Sequence, residues 1–132
     1  MTIVGIGTDL VSIQRIQKIW ERFGESFAKR ILTKGELEDL KKTPTPVSFL
    51  AKRYAAKEAV AKALGTGFRP GGLLLNEIGV KNDALGRPHL YFEGRTAEVL
   101  AHQGATESFI TLSDEREHAL AFVILTGKKM PQ

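Results

Sequence analysis

The stretch that decides the fold runs from Phe49 to Gly67 and reads FLAKRYAAKEAVAKALGTG. Its apolar residues recur at spacings of mostly three and four, which predicts one long helix with an apolar stripe. Thr45 can cap the start of this helix, Pro46 suits its first position, and Gly65 can adopt the left-handed conformation that ends it. The stripe comprises Leu50, Tyr54, Ala55, Ala59, Val60, Ala63 and Leu64.

Glu58 lies in the middle of this predicted helix, and Lys62 follows one turn later on the same side. Lys52, Arg53 and Lys57 add positive charge around the carboxylate. A single carboxylate held on a rigid helix among so many cations suggests a site for a metal ion and an anion. The alternative is a plain ion pair between Glu58 and Lys62, which would contribute only about 0.2–0.5 kcal/mol.

The composition is that of one ordinary globular domain. The chain has 132 residues, of which 42% are hydrophobic and 26% charged, and it contains no cysteine. Disulfides, a thiolate nucleophile and a zinc-thiolate site are therefore excluded, and a cytoplasmic location is expected. No apolar run approaches the roughly 18 residues that cross a bilayer, and no basic leader precedes the first apolar residues. We therefore expect neither a signal peptide nor a membrane partner.

The net charge is +4 at pH 7, which fits either simple solubility or an acidic or phosphorylated partner. A basic module that binds nucleic acid is one alternative function. Aromatic residues make up only 8% of the chain, they are not interleaved with the basic ones, and no nucleic-acid-binding motif is present, so we expect no nucleic-acid partner. A protein that only assembles, without chemistry, is the other alternative.

The remaining segments predict a single α+β domain over residues 1–126 with a loose polar tail at 127–132. Glycines alternate with apolar residues in the first strand, which predicts a close approach of another backbone. A capping box from Thr33 to Glu36 predicts the start of a short helix. The predicted elements are a strand at 3–10, helices at 12–23, 33–42 and 46–64, a hairpin over 77–92, a helix at 94–103, and strands at 109–112 and 119–125.

Asp9, at the end of the first predicted strand, and Glu58 are the best candidates for metal ligands. Hard oxygen ligands without cysteine favour magnesium over zinc. The alternative for Asp9 is a helix cap. Lys62, beside the turn Gly65-Thr66-Gly67, could hold a phosphate. Because these glycines follow a helix, the turn is no P-loop, and anion binding must come from lysines, turn amides and a metal.

Arg15, Lys18 and Arg22 form a basic stripe on the helix at 12–23, either a solvated face or a docking surface for an acidic helix. The three histidines show no metal-ligand spacing, so a structural role is expected for each. They are His89, His102 and His118.

Three blocks of sequence together resemble the holo-acyl-carrier-protein synthases, which are 4′-phosphopantetheinyl transferases. The blocks are GIGTDL with Arg15 and Ile16 behind it, FLAKRYAAKEAVAKALGTG, and TLSDEREHA, in the order and spacing of that family. The resemblance implies transfer of the phosphopantetheine arm of coenzyme A to a serine of acyl carrier protein, with release of adenosine 3′,5′-bisphosphate. It implies Mg²⁺ as cofactor, a role in fatty acid biosynthesis, and a compact α+β homotrimer with its sites at subunit interfaces. An antiparallel sheet would pack on the long helix.

The resemblance also implies roles for individual residues. Asp9 and Glu58 fall on the family's metal ligands, and the helix that carries Arg15 faces the carrier protein. Asp114 stands where some members have a histidine. It is one candidate base for the carrier serine, and Glu58 acting through a metal-bound water is the other. The implied catalytic residues are Glu58, Lys62 and Asp114, the implied coenzyme A contacts are Asp9, Arg53, Glu58, Lys62, Gly65, Thr66 and Gly67, and the implied carrier contacts are Arg15, Lys18, Arg22 and Lys29.

Overall fold

A computed structural model of the chain describes residues 1–68 and 72–128. Helices and antiparallel strands occupy separate parts of one domain, which confirms the predicted α+β class. Of the predicted tail, Gly127 ends the last strand, and 129–132 lie outside the described residues. The elements are β1 (Thr2–Ser12), α1 (Ile13–Phe23), α2 (Glu25–Ile31), α3 (Lys34–Lys42), α4 (Pro46–Leu64), a single 3₁₀ turn (Leu75–Glu77), β2 (Ile78–Asn82), β3 (Pro88–Phe92), α5 (Gly94–His102), β4 (Ala105–Asp114) and β5 (His118–Gly127).

The main sheet has three antiparallel strands in the order β1-β5-β4, and β2 and β3 form a separate hairpin. Alternate residues of β5 are buried against α4, because successive side chains of a strand point to opposite faces. The opposite face of this sheet stays open in the single chain. We call it the outer apolar face, and its large side chains are between 38% and 62% exposed. They are Ile6, Leu10, Phe109, Leu120 and Phe122.

The backbones of β1 and α4 touch at two glycines. A Cβ added to Gly5 would lie 1.9 Å from the carbonyl oxygen of Ala63, and one added to Gly7 would lie 2.0 Å from that of Ala59. Any larger residue would have to push the helix off the strand. The prediction that glycines in the first strand permit close backbone approach is confirmed.

The far side of α4 is also covered, so this helix is buried beyond its predicted apolar stripe. Lys57 is 0% exposed and donates hydrogen bonds to Glu36 of α3 and to the carbonyl oxygen of Ile78 in β2. Arg53, on the same side, is 5% exposed. The prediction that Lys57 and Arg53 add charge around Glu58 is wrong, because both side chains belong to this second, buried side of the helix.

Most predicted helix ends are confirmed. Thr33 and Glu36 form the expected capping box at the start of α3, and Gly65 ends α4 with a φ of 76°. Thr45 precedes α4 but makes no side-chain cap, and its backbone N–H donates to Thr43 instead. The seven-residue helix α2 was not predicted, because it is too short to show a helical period. Of the helices in the described ranges, none is both long and apolar enough to cross a bilayer.

Candidate active site

Asp9 and Glu58 line the same cavity, which lies between β1, α1 and α4 and has a volume of about 520 Å³. Arg15, Tyr54 and His118 add further polar groups to its wall, and apolar side chains of β1, α1 and α2 complete it. The Asp9 side chain is 15% exposed, and Glu58 is half-buried. Two carboxylates from distant parts of the sequence therefore line one cavity.

The contact between β1 and α4 explains how the two acids come together. Gly5 meets Ala63, and Gly7 meets Ala59, one helical turn earlier. Asp9 continues the same face of the strand, because residues two apart point the same way. Successive contacts along β1 thus lie nearer the N-terminus of α4, and Asp9 reaches the cavity that Glu58 lines.

Lys62 bonds to Asp9, with 2.9 Å between Nζ and Oδ1. Among the salt bridges of the described residues none joins Lys62 to Glu58, so the simple ion pair considered from the sequence does not form there. The Lys62 side chain is 55% exposed, and an ion pair this open contributes at most about 1 kcal/mol. Because this ion pair is weak, the Lys62 ammonium can leave Asp9 and bind another anion.

The donor set fits a hard divalent cation. Mg²⁺ in proteins typically takes one or two carboxylates and completes its shell with waters and substrate phosphates. Among the described residues no group of three or more histidine, aspartate, glutamate or cysteine side chains could hold a metal. An ion held by Asp9 and Glu58 would therefore depend on oxygen atoms that a phosphorylated ligand brings.

Tyr54 is a cavity residue that the sequence analysis assigned to the apolar stripe. It lines the cavity together with Glu58, which lies four residues later on the same face of α4. Burial, together with the negative charge of Glu58, raises the pKa of the Tyr54 phenol, so the hydroxyl keeps its proton. The spacing of four from a candidate ligand was the signal available in the sequence.

His118 is a second cavity residue that sequence reasoning treated as structural. It stands opposite Ser12 in the pairing of β5 with β1, and its Nδ1 lies 3.1 Å from Oε1 of Glu115. This register was not predictable from the sequence, because strand partners far apart in the chain show no local signal.

The turn after α4 holds an unpaired hydroxyl. Gly65 and Gly67 both take left-handed conformations, with φ of 76° and 69°. Between them, Thr66 Oγ1 is buried without a hydrogen-bond partner in the described part of the chain. Because an unsatisfied buried hydroxyl is costly, this atom is suited to a ligand that binds against the turn.

Comparisons with known proteins show which family the chain is similar to. A model of the 4′-phosphopantetheinyl transferase superfamily matches residues 5–123. A protein of Photorhabdus laumondii named holo-[acyl-carrier-protein] synthase is 53% identical over 125 residues, which cover 95% of this chain and 98% of that protein. The chain belongs to the holo-acyl-carrier-protein synthase family. The prediction of a transferase of this family is confirmed.

Solved structures of the holo-acyl-carrier-protein synthase family share the fold. The crystal structure of the Neisseria meningitidis enzyme superposes with a TM-score of 0.89 at 44% identity, covering 95% of this chain and 99% of that one. The Bacillus anthracis enzyme, solved in complex with CoA (3′,5′-ADP), gives a TM-score of 0.80 at 32% identity, covering 97% of this chain and 100% of that one.

In this holo-acyl-carrier-protein synthase family member, Arg53 lines a different groove from Asp9 and Glu58. The groove has a volume of about 410 Å³, and we call it the basic groove. The Arg53 guanidinium lies 4.4 Å above the Phe49 ring, and its Nε is 3.6 Å from Glu36, beyond hydrogen-bonding distance. The cations of the basic groove are Lys42, Lys52, Arg53 and Lys81.

Asp114 likewise lies apart from the first cavity of this family member. It ends β4, where Lys52 Nζ is 3.6 Å from its Oδ1 and Ser48 Oγ is 3.3 Å from its Oδ2. Asp114 is not among the described residues that line the cavity of Asp9 and Glu58. Within a single chain the structure therefore does not bring the two candidate bases together.

The predicted carrier contacts of this holo-acyl-carrier-protein synthase family member are all exposed. Arg15 also lines the cavity, so the basic stripe of α1 begins at its wall. Arg22 lies 5.1 Å from the ring of the exposed Phe23. The exposed cations are Arg15, Lys18, Arg22 and Lys29.

Proposed function

We propose that the chain transfers the 4′-phosphopantetheine group of coenzyme A to a serine of apo-acyl carrier protein, with Mg²⁺ as cofactor and adenosine 3′,5′-bisphosphate as the product released. The observation that carries the proposal is the cavity shared by Asp9 and Glu58, with Lys62 bonded to Asp9. Relatives named for this activity, one of them solved with CoA, support it. We propose that the chain acts in fatty acid biosynthesis in the cytoplasm.

Transfer from a diphosphate depends on neutralising charge and aligning the reacting groups, and it requires no covalent intermediate on the enzyme. Bound Mg²⁺ would stabilise the developing negative charge on the leaving group. Asp9 and Glu58 would hold that ion, which would release Lys62 to balance a phosphate oxygen. The unpaired hydroxyl of Thr66 could form a hydrogen bond to the same ligand.

The nucleophile in this reaction is the hydroxyl oxygen of the carrier serine. As its bond to phosphorus forms, the bond from phosphorus to the departing 3′,5′-ADP oxygen breaks, and the serine proton passes to a base. Glu58 through a water, or Asp114 of a neighbouring copy, are the two candidates, and general base help is typically worth about 10²–10⁴-fold.

We propose a homotrimer for the assembled enzyme, and the outer apolar face supports this. A patch of five exposed large apolar side chains on one sheet is typical of a protein–protein contact. A neighbouring copy could then bring its basic groove, with Arg53 for a coenzyme A phosphate and Asp114 beside it, to the cavity of Asp9 and Glu58. Sedimentation equilibrium should give three times 14.5 kDa. A monomer mass at micromolar concentration would overturn the trimer.

The activity itself is tested with the purified chain, coenzyme A, Mg²⁺ and an apo-acyl carrier protein. Intact-mass spectrometry should show the carrier gaining one phosphopantetheine arm, and a chelator should stop the gain. A carrier that keeps its mass in the presence of every component would refute the proposed function.

We expect Arg15→Glu to weaken carrier binding about tenfold while sparing coenzyme A, because reversing a charge on a docking face repels an acidic partner. Steady-state kinetics should show a higher KM for the carrier at an unchanged KM for coenzyme A. Arg87→Glu makes the same charge reversal on the exposed hairpin loop and serves as the control. Equal losses for both substrates in Arg15→Glu would contradict this division of labour.

A further inference from the structure

The basic groove lies between α3, α4 and the end of β2, and Asp39 is the one acid among the described residues that line it. Three of its four cations are lysines, and the fourth, Arg53, is 5% exposed. The Nε atom of Arg53 is buried and has no hydrogen-bond partner in the described ranges. A buried cation with an unused donor, in a groove rich in positive charge, is suited to an anionic ligand.

Glu36 is the acid nearest to the Arg53 guanidinium, but this carboxylate is already paired with other groups. Its Oε1 lies 2.7 Å from Lys57 Nζ, and its Oε2 accepts from the backbone N–H of Val80 at 2.9 Å. Arg53 Nε lies 3.6 Å from the same Oε2, beyond hydrogen-bonding distance. Glu36 therefore attracts the guanidinium without accepting a hydrogen bond from its Nε.

Phe49 gives Arg53 its closest described support. It precedes Arg53 by four residues in α4, so the two side chains share one face of the helix. Long side chains of a helix point back toward its N-terminus, and the guanidinium carbon of Arg53 lies 4.4 Å from the centroid of the Phe49 ring. The ring itself is half-buried and packs against the core. A fixed aromatic face attracts the cation and limits the directions that its flexible side chain can take.

We propose that Phe49 is a positioning residue for substrate binding: its ring holds the Arg53 guanidinium in the direction in which it binds a phosphate of coenzyme A at the basic groove. This role rests on the proposed function, because it concerns the substrate that function requires. Phe49 acts through Arg53 and takes no part in the transfer step itself.

Phe49→Leu tests the proposal, because it removes the aromatic face and keeps an apolar side chain against the core. Isothermal titration of adenosine 3′,5′-bisphosphate into the purified protein should show affinity lowered about fivefold. The KM for coenzyme A should rise by a similar factor, while kcat and the KM for the carrier stay unchanged, as expected for a contact that binds substrate and transition state equally. Phe49→Tyr keeps the aromatic face and should bind like the parent.

A double-mutant cycle shows whether Phe49 acts through Arg53. Arg53→Met alone should lower the affinity for adenosine 3′,5′-bisphosphate by about tenfold or more, because it removes a charged donor. Adding Phe49→Leu to Arg53→Met should then have no further effect, since the cation that the ring holds is gone. Circular dichroism should show that each variant is folded at the temperature of the titration.

Phe23→Leu is a matched control, because it breaks a second cation–π pair that lies outside the basic groove. There Arg22 lies 5.1 Å from the Phe23 ring on α1, and the affinity for adenosine 3′,5′-bisphosphate should not change. Unaltered affinity in folded Phe49→Leu, or a full fivefold loss on the Arg53→Met background, would overturn the positioning role. A parent protein that does not bind adenosine 3′,5′-bisphosphate would overturn it as well. A parent that binds this nucleotide but transfers no arm would refute the proposed function instead, and the titrations would still decide the role of Phe49.

Discussion

Replacing Glu58 with glutamine should abolish magnesium-dependent transfer and leave the fold intact. The amide has nearly the same size as the carboxylate, so the cavity wall between α4 and β1 keeps its shape. It lacks the negative charge that, together with Asp9, would hold a divalent cation. Losing one preorganised electrostatic contact of this kind costs about 10²–10³-fold in rate, and losing a ligand of the ion should cost at least that much.

The measurement for Glu58→Gln is the rate of arm transfer to the carrier, followed by mass spectrometry over a series of Mg²⁺ concentrations. Glu98→Gln, on the exposed side of α5, makes the same chemical change away from the cavity and should keep full activity. The thermal midpoints of both variants should match that of the parent protein. Full activity in Glu58→Gln would remove this residue from the ligands.

Replacing Lys57 with methionine should have the largest effect on stability, about 3–5 kcal/mol. Its Nζ lies 2.7 Å from Glu36 Oε1, and both side chains are 0% exposed. The Glu36 carboxylate also accepts from the backbone N–H groups of Thr33, at 3.1 Å, and Val80, at 2.9 Å. Without the lysine, a buried negative charge would keep only these neutral donors and the more distant Arg53.

Urea denaturation of Lys57→Met, compared with the double variant Glu36→Gln/Lys57→Met, separates the buried charge from the lost packing. The double variant should recover part of the stability, because removing both charges leaves no unpaired ion. Lys52→Met on the same helix breaks only a half-exposed pair with Asp114, and should change the free energy of unfolding by less than about 1 kcal/mol. A loss that small in Lys57→Met would show that the buried pair contributes little.

Local patterns in the sequence predicted the helix α4, its end at Gly65 and the capping box of α3. They also predicted close contact at the glycines of β1, since a glycine in a strand often marks a close approach of another backbone. The pairing of Asp9 with Glu58 in one cavity was a hypothesis from residue type, strengthened by the family resemblance. The helix, its end, the capping box and the close contact were predictable because each leaves a mark within a few residues of the chain.

Most of the features that were missed depend on residues far apart in the sequence. Lys57 was assigned to the cations around Glu58, because its actual partner Glu36 lies on another helix, and no periodicity shows that a charge is paired in the core. Tyr54 fitted the apolar stripe because it packs against the core, and that pattern does not show that the residue also lines the cavity. Arg53 and Asp114 were grouped with Glu58 through the resemblance, whereas within one chain Arg53 lines the basic groove and Asp114 pairs with Lys52.

The contacts at Gly5 and Gly7 have a consequence for engineering the enzyme. Main chain rests on main chain there, so no compressible layer of side chains separates the strand that carries Asp9 from the helix that carries Glu58. Rigid peptide units therefore set the distance between the two acids. Repacking the hydrophobic interior elsewhere for heat resistance should leave this distance unchanged. A single methyl group at either glycine would instead push the strand and the helix apart.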